Sequence, residues 1–114
     1  MHHSMRLNPA PFERMKKGSK EVEIRLNDIK RRLIKVGDTI TFTSLSDKAE
    51  TLSLKVIALH RFKTFRELVE VIPMSKFGYP EDKSRTDFTE SIYTIYNKDE
   101  EQKYGVLGIE LELI

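Results

Sequence analysis

The stretch GSKEVEIR, residues 18–25, decides how this chain folds, because it joins the end of a helix to a strand of period two. Its glycine is the expected C-terminal stop of a short helix over residues 9–17. After the glycine, apolar Val22 and Ile24 alternate with charged residues, which is typical of a half-buried β-strand. The segment therefore predicts a helix followed by a strand whose polar face carries a high density of charge.

The polar face of this strand supplies the first candidate site residues. Side chains two apart on a strand share a face and lie about 7 Å apart, so Glu23 and Arg25 are expected to be neighbours. Lys20 is out of phase and joins them only if the turn after Gly18 re-aims it, which a glycine allows. In a cleft such a group orients a polar ligand, whereas on an open surface it is an ordinary ion pair.

Hydrophobic patterning predicts three helices and at least four strands in all, including the helix and the strand just described. Further strands are expected over 39–43, 51–62 and 107–113, with residues 4–7 as a candidate fifth. Helices are expected over 65–71, where TFRE at 64–67 reads as a capping box, and over 87–96, while 46–50 and 98–101 read as polar turns. This order predicts an α+β fold with a small mixed or antiparallel sheet, curled into a barrel with helices at its rim.

Length and composition set broad limits on the kind of protein. A chain of 114 residues fits a single domain spanning residues 1–114, and no run of it approaches the ~20 apolar residues of a membrane span. The absence of cysteine removes disulfides and thiolate metal sites and suits a reducing cytoplasm. Without a metal-binding histidine motif or a glycine-rich phosphate loop, we expect neither a metal nor a cofactor.

Two further groups of side chains are candidates for binding a nucleic acid. Lys30, Arg31 and Arg32 belong to a basic connector between two strands and can attract phosphate if they share a face, the alternative being a solvated surface. Tyr93 and Tyr96 lie three apart on a predicted helix and can offer stacking faces to a base, the alternative being core packing.

Gly18, Lys20, Glu23 and Arg25 together resemble the GxKxxExR signature of the ASCH domain, a PUA-like β-barrel family. The VGD turn at 36–38 and the segment YGVLGI at 104–109 also resemble members of this family. The resemblance implies a barrel with a cleft near the first helix, into which the signature residues project, and a role related to RNA.

The same resemblance implies an enzymatic activity as an alternative to binding. Some small family members are amidohydrolases that remove the acyl group from N4-acetylcytidine, with a lysine and a threonine of the signature as catalytic groups. The lysine position is Lys20 here, and the threonine position holds Glu23. A carboxylate can act as a base but cannot replace a hydroxyl in every role.

Three functional hypotheses follow from the sequence. The first is an RNA- or nucleotide-binding domain that uses the signature residues and the basic connector. The second is an amidohydrolase acting on an acylated pyrimidine nucleoside, with Lys20 and Glu23 as catalytic candidates. The third is a protein-interaction module whose acidic C-terminal two-thirds meets a partner.

Overall fold

The computed structural model of the chain describes residues 1–46 and 50–114. The predicted polar turn over residues 46–50 therefore falls largely outside the described residues. Within them, the strands are β1 (His2–Leu7), β2 (Val22–Leu26), β3 (Thr39–Ser44), β4 (Thr51–Phe62) and β5 (Val106–Leu113). The helices are α1 (Pro9–Lys16), α2 (Phe65–Val71), α3 (Arg85–Tyr93) and α4 (Lys98–Tyr104), with short 3-10 turns at Arg31–Leu33 and Met74–Lys76.

The strands form one mixed sheet in the order β1-β3-β4-β5-β2. β1 runs parallel to β3, and the other neighbours are antiparallel. The long strand β4 pairs with both β3 and β5 and carries a register shift between Val56 and Ala58, the kind of irregularity that bends a strand. The sheet therefore curls into a half-barrel with helices around it, which confirms the predicted α+β, PUA-like architecture.

Two apolar cores hold the sheet and the helices together. The first packs Phe12 and Met15 of α1 against the inside of the half-barrel, where Ile40 and Phe42 of β3 are fully buried. The second packs α2 and α3 against β2 and β5, and its members on β2 are Val22 and Leu26. Because side chains alternate along a strand, Glu23 and Arg25 project from the other side of β2.

The charged segment 98–101 is a helix rather than the predicted turn. The Asn97 side chain caps α4 by accepting a hydrogen bond from the Glu100 backbone N–H at 2.7 Å. Acidic residues fill the first turn, where the helix dipole favours them, and Gly105 ends the helix at φ +74°. The prediction was wrong because this helix has no apolar stripe, and Glu101 is its buried member.

Other helix and strand limits differ from the predictions by a few residues. The third helix spans Arg85–Tyr93 instead of 87–96, because Ser84 caps its start by accepting from the Asp87 backbone N–H. The predicted capping box holds at α2, where Thr64 accepts from the Glu67 backbone N–H. None of the helices in the described ranges is long and apolar enough to cross a membrane.

Candidate functional site

The carboxylate of Glu23 lies between the two cations that the sequence placed near it. The Arg25 Nε–H donates to Glu23 Oε2 at 2.8 Å, and Lys20 Nζ lies 3.3 Å from Glu23 Oε1. Lys20 and Glu23 are 7% and 6% exposed. The structure therefore brings the three signature side chains together in a place that is largely closed to solvent.

The turn after α1 directs Lys20 toward this cluster. Gly18 adopts φ +83°, a left-handed conformation that favours glycine. The Lys20 backbone N–H then donates to the Arg14 carbonyl at 3.1 Å, and Lys20 forms an isolated bridge with Phe77. Its Nζ donates to the Val22 carbonyl at 3.0 Å, so the ammonium is fixed beside the start of β2.

Burial and charge act in opposite directions on the two most buried members of the cluster. Burial lowers the pKa of Lys20, and the nearby Glu23 carboxylate opposes part of that change. Burial alone would raise the pKa of Glu23, but Lys20 and Arg25 outweigh it and hold that pKa below its ordinary value. Glu23 is therefore an ionised carboxylate at neutral pH despite its burial.

The cluster forms one wall of a cleft of about 370 Å³ between β1, α1, β2 and the α3 region. Four cationic side chains line this cleft, and among its described lining residues Glu23 supplies the one carboxylate. Aromatic and apolar side chains form the rest of its wall. The lining includes Arg6, Arg14, Lys20, Arg25, Leu45, Tyr79, Ile95 and Tyr96. The cleft therefore combines an excess of positive charge with aromatic and apolar surface. This combination suits an anionic ligand that contains a planar ring.

Arg14 is a lining residue that sequence reasoning missed. Its Nη2 donates to the Tyr79 hydroxyl at 3.1 Å, and its guanidinium lies 4.7 Å from the centre of the Tyr79 ring. Its Nε is buried without a hydrogen-bond partner, and no carboxylate within residues 1–46 and 50–114 pairs with it. No local signal marked Arg14, because its partner lies 65 residues away.

The two candidate tyrosines have different surroundings. Tyr96 lines the cleft and stacks on Phe65 at 5.3 Å between ring centres, and burial raises the pKa of its hydroxyl. Tyr93 lies outside the set of cleft-lining residues, with its ring edge against Phe65 and its hydroxyl donating to Glu101 at 2.6 Å. Burial, then the bond to the Glu101 carboxylate, raises the pKa of Tyr93 to about 12.

The basic connector divides between two surroundings. Lys30 and Arg31 line a second groove, of about 590 Å³, which shares Arg6 and Arg25 with the cleft. Arg32 lines neither cavity, and its Nε donates to the Asn27 carbonyl at 2.8 Å. The connector therefore does not present its cations on a single face.

The described residues contain no cluster of three or more histidine, aspartate or glutamate side chains that could hold a metal ion. His60 lies near the end of β4, and its Nε2 is hydrogen-bonded to Glu110 Oε1 at 2.9 Å.

A model of the ASCH domain matches residues 5–114, nearly the whole chain. The chain belongs to the ASCH domain family. This ASCH domain is similar to the crystal structure of hypothetical protein PH0355, with 33% identity, a TM-score of 0.81 and full coverage of both chains. It is also similar to the solution structure of protein PF0455 from Pyrococcus furiosus, with 34% identity, a TM-score of 0.70, and coverage of 100% of this chain and 98% of that one.

A more distant likeness concerns the fold alone. An ASCH domain from Lactobacillus crispatus JV V101 aligns with a TM-score of 0.66 at 10% identity, covering 97% of this chain and 79% of that one. A comparison with curated proteins finds no match.

Proposed function

We propose that this ASCH domain binds RNA or a nucleotide, with one nucleotide unit held in the cleft around Lys20, Glu23 and Arg25. The observation that carries the proposal is the charge of the cleft, whose lining sets four cations against one carboxylate. Membership of the ASCH family supports a general RNA-binding role. A volume of about 370 Å³ lies within the range of small-ligand sites.

Different parts of the cleft suit different parts of a nucleotide. Arg14 and Arg25 present planar guanidinium groups, which match the geometry of phosphate oxygens. Tyr96 lines the cleft and offers a ring on which a base can stack. Both oxygens of Glu23 already face Lys20 and Arg25, so this carboxylate orients the two cations rather than contacting the ligand.

Isothermal titration calorimetry tests this proposal with AMP, CMP, GMP and UMP, each compared with its nucleoside. Saturable binding of a monophosphate, weakened by Arg14→Gln and by Tyr96→Ala, is the expected result. Lys35→Gln is the matched control, because Lys35 is exposed and lines neither cavity. If no nucleotide or oligoribonucleotide binds the folded protein even at low salt, the proposal is wrong.

A second candidate function is the hydrolysis of an N4-acylated cytidine, and the burial of Lys20 beside the cleft favours it. Burial lowers the pKa of Lys20, which increases the fraction of neutral amine available as a base. Lys20, or the Glu23 carboxylate, would take a proton from the water that attacks the acyl carbon. Arg25 would donate to the oxyanion, and the proton would pass to the leaving N4 as the C–N bond breaks.

This second candidate has a direct assay. Incubation with N4-acetylcytidine should release cytidine and acetate, and Lys20→Met should abolish the release while the protein stays folded. If the wild-type protein at high concentration releases no product, N4-acetylcytidine is not its substrate.

The hypothesis of a protein-interaction module and the expected cytoplasmic location stay predictions from the sequence.

A further inference from the structure

We propose that the ligand is a single RNA strand of at least two nucleotides, running from the cleft past Arg25 into the neighbouring basic groove. The inference rests on the proposed function, because it takes the cleft as the place of one nucleotide unit. It adds a second binding region, the route between the two regions and a preference for a strand over a monomer.

The neighbouring groove has the composition of a phosphate site. Its four cationic side chains come from three parts of the chain, namely Arg6 on β1, Arg25 on β2, and Lys30 and Arg31 at the connector. No carboxylate is among its described lining residues. Asp28 lies beside the groove, 3.3 Å from Arg31, and neutralises part of this charge. The remaining excess attracts an anion that the protein does not supply.

Each cavity contains an arginine whose hydrogen bonding is incomplete. In the cleft, Arg14 uses Nη2 on the Tyr79 hydroxyl, and in the groove Arg31 uses Nη1 on Asp28, so the other terminal nitrogen of each has no hydrogen-bond partner within the described part of the chain. Arginine is suited to bind phosphate through two parallel N–H donors of its planar group. One such arginine in each of two adjoining cavities fits a ligand with two phosphates better than a ligand with a single phosphate.

Arg25 stands where the two cavities meet, and its position is fixed. Its Nε donates to Glu23, and its Nη2 donates to the carbonyl of Arg6 at 2.8 Å. Arg25 and Arg6 line both cavities, so a chain that occupies both must pass these two side chains. A guanidinium that is already held in place loses little entropy when it contacts the passing strand.

The size of the cleft favours a single strand over a duplex. The cleft is bounded by β-strands and helices of the protein, and its volume of about 370 Å³ suits one unstacked base. Proteins read RNA bases mainly where the strand is unpaired and the base can leave its stack. The groove beyond Arg25 is flanked by the exposed Lys30, so the strand can continue along the surface.

The test compares homopolymeric octaribonucleotides with the matching nucleoside monophosphates by isothermal titration calorimetry at several salt concentrations. We expect the best octamer to bind roughly tenfold or more tighter than its monomer, because the second contact is made within one complex. Arg31→Gln should remove most of this advantage and reduce the slope of log affinity against log salt by about 0.7. It should leave the affinity for the monophosphate unchanged.

Lys35→Gln removes one positive charge from the same connector outside both cavities and should change neither affinity. If monophosphates bind but octamers bind no tighter, or if Arg31→Gln and Lys35→Gln act equally, the strand route is wrong and the cleft function stands. A duplex that binds as tightly as the single strand also overturns the inference. If none of these probes binds, both proposals are wrong.

Discussion

Arg25 of β2 donates a hydrogen bond across the open side of the half-barrel to the backbone carbonyl of Arg6 in β1, at 2.8 Å. β1 and β2 are the two outer strands of the sheet, which no β-ladder in the described residues joins directly. The same guanidinium donates from Nε to the buried Glu23. One side chain therefore links the two sheet edges and also orders the candidate site.

Substitution of Arg25 should therefore affect both stability and binding. Arg25→Lys keeps the charge but cannot bond Glu23 and Arg6 at once, so we expect unfolding free energy to fall by about 1–3 kcal/mol. Urea denaturation measures the change, and nucleotide titration of the folded variant should show weaker binding. Arg66→Lys, on the exposed side of α2, is the control. Equal stability of the two variants would show that the link between strands contributes little.

Glu23 should make the stability of the protein depend on acid pH. Its pKa in the folded state lies below the ordinary 4.5, so the unfolded chain binds the proton more tightly. The stabilisation from this carboxylate is complete above about pH 4.5 and is lost as the pH falls through the folded pKa. Glu23→Gln should be less stable than wild type near neutral pH, and the difference should shrink on acidification.

Urea denaturation of wild type and Glu23→Gln between about pH 7 and about pH 3 measures this difference. Glu90→Gln, at an exposed position on α3, should show no such convergence with wild type. A difference between wild type and Glu23→Gln that stays constant over this range would contradict the prediction.

The close approach of Gly78 to Arg14 predicts a coupled effect on stability and binding. A Cβ at Gly78 would lie 2.9 Å from Arg14 Cδ, and Gly78 has φ +87°. Left-handed strain alone lowers the unfolding free energy by about 1–2 kcal/mol. Gly78→Ala should lower it by more than this and should displace the Arg14 side chain. Thermal unfolding and nucleotide titration measure the two effects.

Gly37→Ala is the matched control for this experiment. Gly37 has φ +95° with nothing within 4 Å of the added Cβ, so the substitution introduces strain without a contact. It should lower stability by the strain alone and leave nucleotide affinity unchanged. Equal effects of the two alanines on affinity would argue against a ligand contact by Arg14.

Tyr93 should titrate at unusually high pH, and the Glu101 carboxylate should be part of the reason. The pKa of Tyr93 is about 12, raised first by burial and then by its bond to Glu101. Glu101→Gln should move this pKa part of the way back toward 10, measured by ultraviolet titration of the phenolate, with Tyr93→Phe identifying the transition. Because the folded pKa is the higher one, stability is lost as the pH rises from about 10 toward 12. An unchanged titration in Glu101→Gln would refute this role of the carboxylate.

Sequence patterns predicted most of the sheet and the centre of the candidate site. The alternation over residues 21–26 identified β2, and the capping box identified α2, because each is specified by neighbours in the chain. The helix α4 escaped prediction because its charged sequence has no apolar period. Arg14 escaped because its relation to Tyr79 and Gly78 depends on contacts far along the chain.

By itself, the sequence determined the α+β class, the strand that carries Glu23 and Arg25, and the glycine that allows Lys20 to turn toward them. These features depend on side-chain period and on backbone freedom, both of which are local. The tertiary structure decided that Arg31 enters a groove while Arg32 does not, and that Arg14 shares the cleft with Lys20. Such placements arise when the curled sheet brings its edge strands together, and this requires packing among residues that are distant in the chain.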